Sequence, residues 1–227
     1  AWILLFMAFL TKGLTGIFPL AAPFLFLIVF KNKINRINII NYVFFIAGFI
    51  FFSLLLLYTI PGLKDNIIAY FNIQLLPALQ SKREVTVGNR FMILEKLFFE
   101  LIITIVIVLI SVVLCRKKRI VISDLLKKYS LFFFLLALSA SLPLMISMKQ
   151  RTFYLVPSIP FFAIAAGVLI LPLVQKLSEL CSAIFLKRLR LFSIISLVIP
   201  ITLSTVNYGK YSRDSEEITD VKILSKL

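Results

Sequence analysis

Long apolar runs, separated by short polar or basic segments, are the feature that most limits how this chain can fold. Each run approaches the ~20 residues that a helix needs to cross a bilayer. Inside hydrocarbon only helices and closed barrels satisfy their own backbone hydrogen bonds, and these runs are continuous rather than alternating, which favours helices. The sequence therefore predicts an all-α, polytopic transmembrane helical bundle. The complete runs are 39–60, 97–115, 129–147, 153–174 and 191–207.

Two weaker apolar segments stand at the start of the chain. Residues 16–30 are barely long enough to span, and 1–10 are interpreted as the end of a helix whose beginning is missing. They bring the prediction to about six spans plus a partial first helix. Because the chain opens inside an apolar run and ends on "DVKILSKL", we expect a piece cut at both ends. Residues 1–207 would be the C-terminal part of a transmembrane domain, and 208–227 the start of an extracytoplasmic tail or domain.

Composition excludes several classes of function. The chain is 61% hydrophobic with a net charge of +15, and its charges cluster between the apolar runs. Basic loops that meet anionic lipid explain this pattern better than a nucleic-acid partner. There is no histidine, which removes His-based triads and most zinc sites. No glycine-rich loop for nucleotide phosphates is present either.

The distribution of basic residues predicts the orientation. The loops 31–38, 116–128 and 175–190 hold 13 Lys/Arg in 37 residues, whereas the alternate segments hold 12 in 66. The positive-inside rule assigns the denser set to the cytoplasm. The two cysteines fall near that face and are expected to be reduced, free thiols. The longest polar connection, 61–96, lies on the outer side, and "DNIIAYFNIQLLPAL" within it has the spacing of a helix lying in the membrane interface.

This orientation places four cations on the outer side: Lys12, Arg90, Lys149 and Arg151. Cations in short turns between spans can pair with a phosphate, and Tyr154, three residues after Arg151, could donate to the same anion. The alternative is that the cations simply extend to the lipid headgroups and that Tyr154 belongs to the aromatic belt.

Two outer glutamates raise the question of a divalent metal. Glu95 and Glu100 could in principle bind one, but residues five apart on a helix point in diverging directions. A divalent metal is therefore kept only as a possible cofactor.

Two segments resemble the family 39 type glycosyltransferases, the bacterial relatives of protein O-mannosyltransferases and the lipid A aminoarabinose transferases. "FLTKGLTGIFPLAAPFLFL" is similar to a family segment with a Lys-Gly pair and a proline-containing helix, and "MKQRTFYLVPSIPFFAIAAGVLIL" to a second one. The resemblance implies a GT-C-like membrane domain in the bacterial inner membrane with its active face outside. The implied reaction transfers a sugar from a polyprenyl-phosphate carrier to a lipid, glycan or protein acceptor.

The resemblance also implies roles for particular residues. Lys12 and Tyr154, and less directly Arg151, would contact the lipid-linked phosphate, whereas Arg90 is included by location only. The family's catalytic carboxylate lies in a first outer loop that this chain does not contain. The catalytic residue is therefore unknown, and we expect the chain alone to be inactive.

Other functions remain open at this stage. A transporter or flippase of lipid-linked saccharides would share the basic outer face, but few polar residues lie inside the spans, and no internal repeat is visible. An O-antigen ligase or polymerase would use the same donors but is expected to carry a histidine. A structural membrane subunit would leave the two family-like segments unexplained.

Overall fold

Helices account for all the regular structure in the described part of the chain. The computed structural model describes residues 2–31, 36–80, 88–148 and 150–207, and no strand occurs among them. The chain is therefore an all-α bundle. The predicted tail 208–227 lies outside the described residues.

Nine α-helices follow one another along the described chain, with 3-10 and π segments between them. The α-helices are α1 Trp2–Lys12, α2 Ala21–Val29, α3 Arg36–Thr59, α4 Leu63–Ala69, α5 Leu76–Leu79, α6 Met92–Lys117, α7 Asp124–Ser141, α8 Ile159–Leu180 and α9 Ala183–Val206. The 3-10 segments are Gly13–Leu20, Leu142–Ile146 and Thr152–Leu155, and the π segment is Tyr70–Leu75.

Five helical segments of the described chain are long and apolar enough to cross a membrane: Ile39–Thr59, Met92–Lys117, Asp124–Ile146, Ile159–Leu180 and Ile184–Val206. Many of their large apolar side chains face outward; Ile103, for example, is 72% exposed. An apolar surface of this extent would aggregate in water but is stable against lipid. The prediction of an integral membrane protein is confirmed.

The first two apolar segments differ from the expected spans. Residues 16–30 do not form one long helix, because the chain follows a 3-10 segment, Gly13–Leu20, before the nine-residue helix α2. Pro19 lies inside that 3-10 segment and has no backbone N–H to donate. The described chain thus has five candidate spans and two shorter apolar helices, instead of about six spans and a partial one.

Two compact units divide the chain, Ala1–Val174 and Gln175–Leu227. The core of the first unit lies where α6, α7 and the two later 3-10 segments meet. Ile93 and Leu155 are fully buried there, together with Leu97, Ala137, Leu144 and Phe162. In the described part of the second unit, α9 begins at an N-cap, Ser182, whose hydroxyl accepts a hydrogen bond from the Phe185 N–H at 3.3 Å.

Close helix contacts hold α1 and α2 in the first unit. The Trp2 indole donates to the Phe45 carbonyl of α3 at 3.1 Å, and the indole ring lies on Gly48, where any Cβ would overlap it. At the other end of this region, the Phe30 ring lies 5.1 Å from the ring of Tyr129 in α7. The start of α7 therefore lies near the end of α2, whereas Lys12, at the end of α1, lies near Phe153, which follows α7 in the chain. The end of the first unit that holds Lys12 is here called the Lys12 end.

Candidate functional site

A glycine-stabilised turn presents Lys12. Helix α1 ends at this lysine, and Gly13 follows with φ +63°, the left-handed conformation that favours glycine after a helix. The chain then reverses so tightly that a Cβ on Gly16 would overlap the Ala8 carbonyl. Lys12 is exposed at the C-terminal end of α1, where the helix dipole favours a cation. The turn therefore holds an ammonium group at the end of the bundle.

Lys12 reaches the second family-like segment. Its Nζ lies 6.0 Å from the centroid of the Phe153 ring, some 140 residues later in the chain. The Phe153 ring in turn lies 4.4 Å from the ring of Tyr154. A cation–π contact at an exposed site is worth only about 0.5–1 kcal/mol. The lysine is positioned by this contact but can still exchange it for an anionic ligand.

Tyr154 and Arg151 belong to one short turn. Arg151 is extended and half-buried, and the 3-10 segment Thr152–Leu155 begins directly after it, with the Tyr154 N–H donating to the Arg151 carbonyl at 3.0 Å. The sequence predicted that Arg151 and Tyr154 share one side of a helix, but Arg151 lies before the 3-10 segment in an extended conformation, so helical spacing does not set the direction of its side chain. Leu155 is fully buried, and Tyr154 packs partly against the same core. The turn is therefore held in place by the packing of Leu155 and Tyr154 against the apolar core.

Gln150 links this turn to Arg90. The Gln150 side chain is almost fully buried, and its Nε2 donates to the Arg90 carbonyl at 2.7 Å and to the Ser147 carbonyl at 3.0 Å. Arg90 itself is exposed. The backbone at Arg90, predicted as a site residue by location only, is thus bound beside Arg151. Sequence reasoning did not identify Gln150, because a glutamine between two cations gives no sign that it will be buried.

Tyr70 is a further residue that sequence reasoning missed. It begins the π segment within the helical region 63–79, which confirms the predicted helix over "DNIIAYFNIQLLPAL" but not its position in the membrane interface. A Cβ on Gly13 would overlap the Tyr70 hydroxyl and lie 2.6 Å from its Cζ. Tyr70 therefore lies directly against the Lys12–Gly13 turn. π segments inside helices often occur at functional sites.

The remaining candidates lie apart from this group. Lys149 lies outside the described residues. Glu95 and Glu100 are both exposed on α6. Within the ranges that the structure describes, no three Asp, Glu or Cys residues come close enough to hold a metal ion.

The resulting cluster is here called the Lys12 cluster. Lys12 contacts Phe153, which contacts Tyr154, and Tyr70 lies against the turn that follows Lys12. Arg151 belongs to the cluster because it begins the short turn that contains Tyr154. Two cations and two phenol groups at one end of a membrane bundle are suited to an anion of phosphate type, since lysine binds it as a point charge and arginine as a fork. None of these described residues is a carboxylate, so together they can bind and neutralise an anion but do not supply the carboxylate that would remove a proton from an acceptor.

Comparison with known proteins gives no identification: no family model, no curated protein and no solved structure matches this chain.

Proposed function

We propose that this chain forms the donor-binding part of a membrane glycosyltransferase that takes a sugar from a polyprenyl-phosphate carrier. The acceptor would be a lipid, glycan or protein on the outer face of a bacterial inner membrane. The observation that carries the proposal is the contact of Lys12 with Phe153, which joins the two segments that resemble the family 39 type glycosyltransferases. Four residues would bind the lipid-linked phosphate: Lys12, Arg151, Tyr154 and, newly assigned, Tyr70.

The chemistry of the cluster supports this assignment. When a sugar leaves its carrier, negative charge develops on the polyprenyl phosphate, and fixed cations stabilise that charge more in the transition state than in the ground state. Lys12 and Arg151 would supply this stabilisation. The tyrosine hydroxyls would orient the phosphate by donating hydrogen bonds. The resemblance implies a carboxylate as the general base, and none of these four residues supplies it.

Donor binding is the first test of the proposal. The full chain in lipid nanodiscs is titrated with a fluorescent polyprenyl phosphate, and Lys12→Ala is compared with the parent. Loss of one charge-assisted hydrogen bond is expected to weaken binding by about tenfold or more. Lys64→Ala is the matched control, because Lys64 is an exposed lysine of α4, six residues before Tyr70. Equal affinities for all three proteins would reject the phosphate site.

Transfer distinguishes the enzyme from the flippase alternative. The complete reading frame that contains this chain is placed in vesicles with a radiolabelled polyprenyl-phosphate sugar. Label that moves from the carrier to an acceptor, and falls in Lys12→Ala, supports the glycosyltransferase. Label that crosses the bilayer still attached to its carrier would instead support transport of lipid-linked saccharides.

A further inference from the structure

A second candidate site lies in an apolar groove between α6, α7 and α8, away from the Lys12 cluster. Its cavity volume is about 430 Å³. Leu101 and Leu109 of α6, Leu131 and Phe134 of α7, and Leu169 of α8 line it. The Ser130 hydroxyl, which also faces the groove, donates to the Ala165 carbonyl at 2.8 Å and so connects α7 to α8. The groove therefore presents hydrocarbon walls held together by a hydrogen bond.

The groove has the length of a chain within one leaflet. Its wall on α6 extends from Leu101 to Leu109, which at 1.5 Å per residue is about 12 Å. Half of a typical hydrocarbon core is about 15 Å. A groove of this length covers only about two turns of a helix. It is therefore better matched to one acyl chain than to a transmembrane helix of a partner.

One end of the groove is basic. Lys127 lines it at the start of α7, the end opposite Lys12. The adjoining segment 116–128 holds six Lys/Arg and a single acidic residue, Asp124. Lys127 pairs with Asp124 at 3.0 Å, but both side chains are largely exposed, and such a surface pair contributes little. The lysine can therefore exchange this partner for an anionic headgroup.

We propose that this groove binds a phospholipid with an anionic headgroup, its phosphate at Lys127 and one acyl chain along α6, α7 and α8. Basic pockets between transmembrane helices on the cytoplasmic side are general binding places for such lipids, and the positive-inside rule assigns this end to the cytoplasm. The site does not depend on the proposed glycosyltransferase function.

Native mass spectrometry of the full chain tests this proposal. The purified protein is mixed with phosphatidylglycerol or with zwitterionic phosphatidylcholine, and the bound lipid is counted at each concentration. We expect phosphatidylglycerol to bind at least about fivefold more tightly than phosphatidylcholine, because the attraction of one lysine to an anionic headgroup gives a difference in affinity of about that size. Lys127→Ala should remove most of this preference. Lys128→Ala, which removes the same charge one residue away, should retain it.

A second variant tests the acyl-chain part. Ala166 lines the groove, so Ala166→Phe should fill it and reduce binding of both lipids. If this variant does not fold, the comparison of Lys127→Ala with Lys128→Ala still decides the headgroup site. Equal binding of the two lipids, or an unchanged preference in Lys127→Ala, would overturn the proposal. So would displacement of phosphatidylglycerol by polyprenyl phosphate, or a dimer that Ala166→Phe dissociates, because the groove would then hold the carrier or a second copy.

Discussion

Replacing Gly13 by alanine should destabilise the protein through two separable effects. The residue has φ +63°, and a non-glycine residue in this left-handed conformation costs roughly 1–2 kcal/mol. The added Cβ would also overlap the ring and hydroxyl of Tyr70. Overpacking of this kind typically costs about 1–3 kcal/mol more. Gly13→Ala should therefore lower the free energy of unfolding by about 2–5 kcal/mol.

Gly62 provides a matched control for the backbone effect. It has φ +76°, but nothing lies within 4 Å of the place that its Cβ would occupy. Gly62→Ala should therefore cost only the conformational part, roughly 1–2 kcal/mol. Unfolding in detergent micelles by titration with sodium dodecyl sulfate gives both values. In a double-mutant cycle, Tyr70→Ala should recover the difference between the two glycine variants.

Two results would refute this reasoning. Equal losses in Gly13→Ala and Gly62→Ala would mean that Tyr70 does not press on the Lys12 turn. A cycle with no coupling between positions 13 and 70 would mean the same. Because the turn carries Lys12, Gly13→Ala is also expected to weaken donor binding, whereas Gly62→Ala should leave it unchanged.

Two further predictions concern the packing around the site and the start of the chain. Gln150→Leu removes the hydrogen bonds to the Arg90 and Ser147 carbonyls. In the same micelle titration it should lower the free energy of unfolding by about 1–3 kcal/mol. Gln80 is exposed and serves as the control, and an equally small loss in Gln150→Leu and Gln80→Leu would contradict the prediction. Gly48→Leu should displace the Trp2 indole from α3. Since Trp2 is the only tryptophan, its fluorescence maximum reports this directly, and an unshifted maximum would mean that the contact is absent.

The sequence located the long helices well but not their ends. The predicted span 97–115 is part of α6, Met92–Lys117, which begins five residues earlier because Glu95 and Lys96 are good helix formers. The predicted span 191–207 belongs to α9, Ala183–Val206, which includes three cations of the preceding basic segment. An apolar run marks the part of a helix that meets hydrocarbon. The α-helix itself continues beyond the apolar run for as long as the flanking residues favour the helical conformation.

Proline explains the largest deviations. The predicted span 129–147 changes from α-helix to a 3-10 segment at Leu142, next to Pro143. The predicted span 153–174 has a 3-10 turn at its start, and α8 begins only at Ile159, after Pro157. Leu142 and Val156, which precede these prolines, keep α dihedral angles, but a proline has no backbone N–H to donate to the hydrogen bonds of an α-helix. The sequence contains these prolines, but it does not specify whether a helix will bend, tighten or end there.

The site was predictable in part. Topology alone placed Lys12, Arg90 and Arg151 on one face, and the described contacts place their backbone segments at the same end of the first unit. The contact of Tyr70 with Gly13 and the hydrogen bond of Gln150 to Arg90 were not predictable, because each joins residues more than 50 positions apart in the sequence. The periodicity of a sequence predicts which face of a helix is apolar. Contacts between residues far apart in the sequence can be identified only once the packing of the helices is known.

Photo-cross-linking tests the central claim most directly. A polyprenyl phosphate with a photoreactive group beside its phosphate is irradiated with the full chain in nanodiscs, and the labelled peptides are mapped. The Lys12 cluster predicts label on both family-like segments, around Lys12 and around Phe153 and Tyr154, with less label in Lys12→Ala. Label spread evenly over the interfacial residues, or confined to the groove at Lys127, would contradict it.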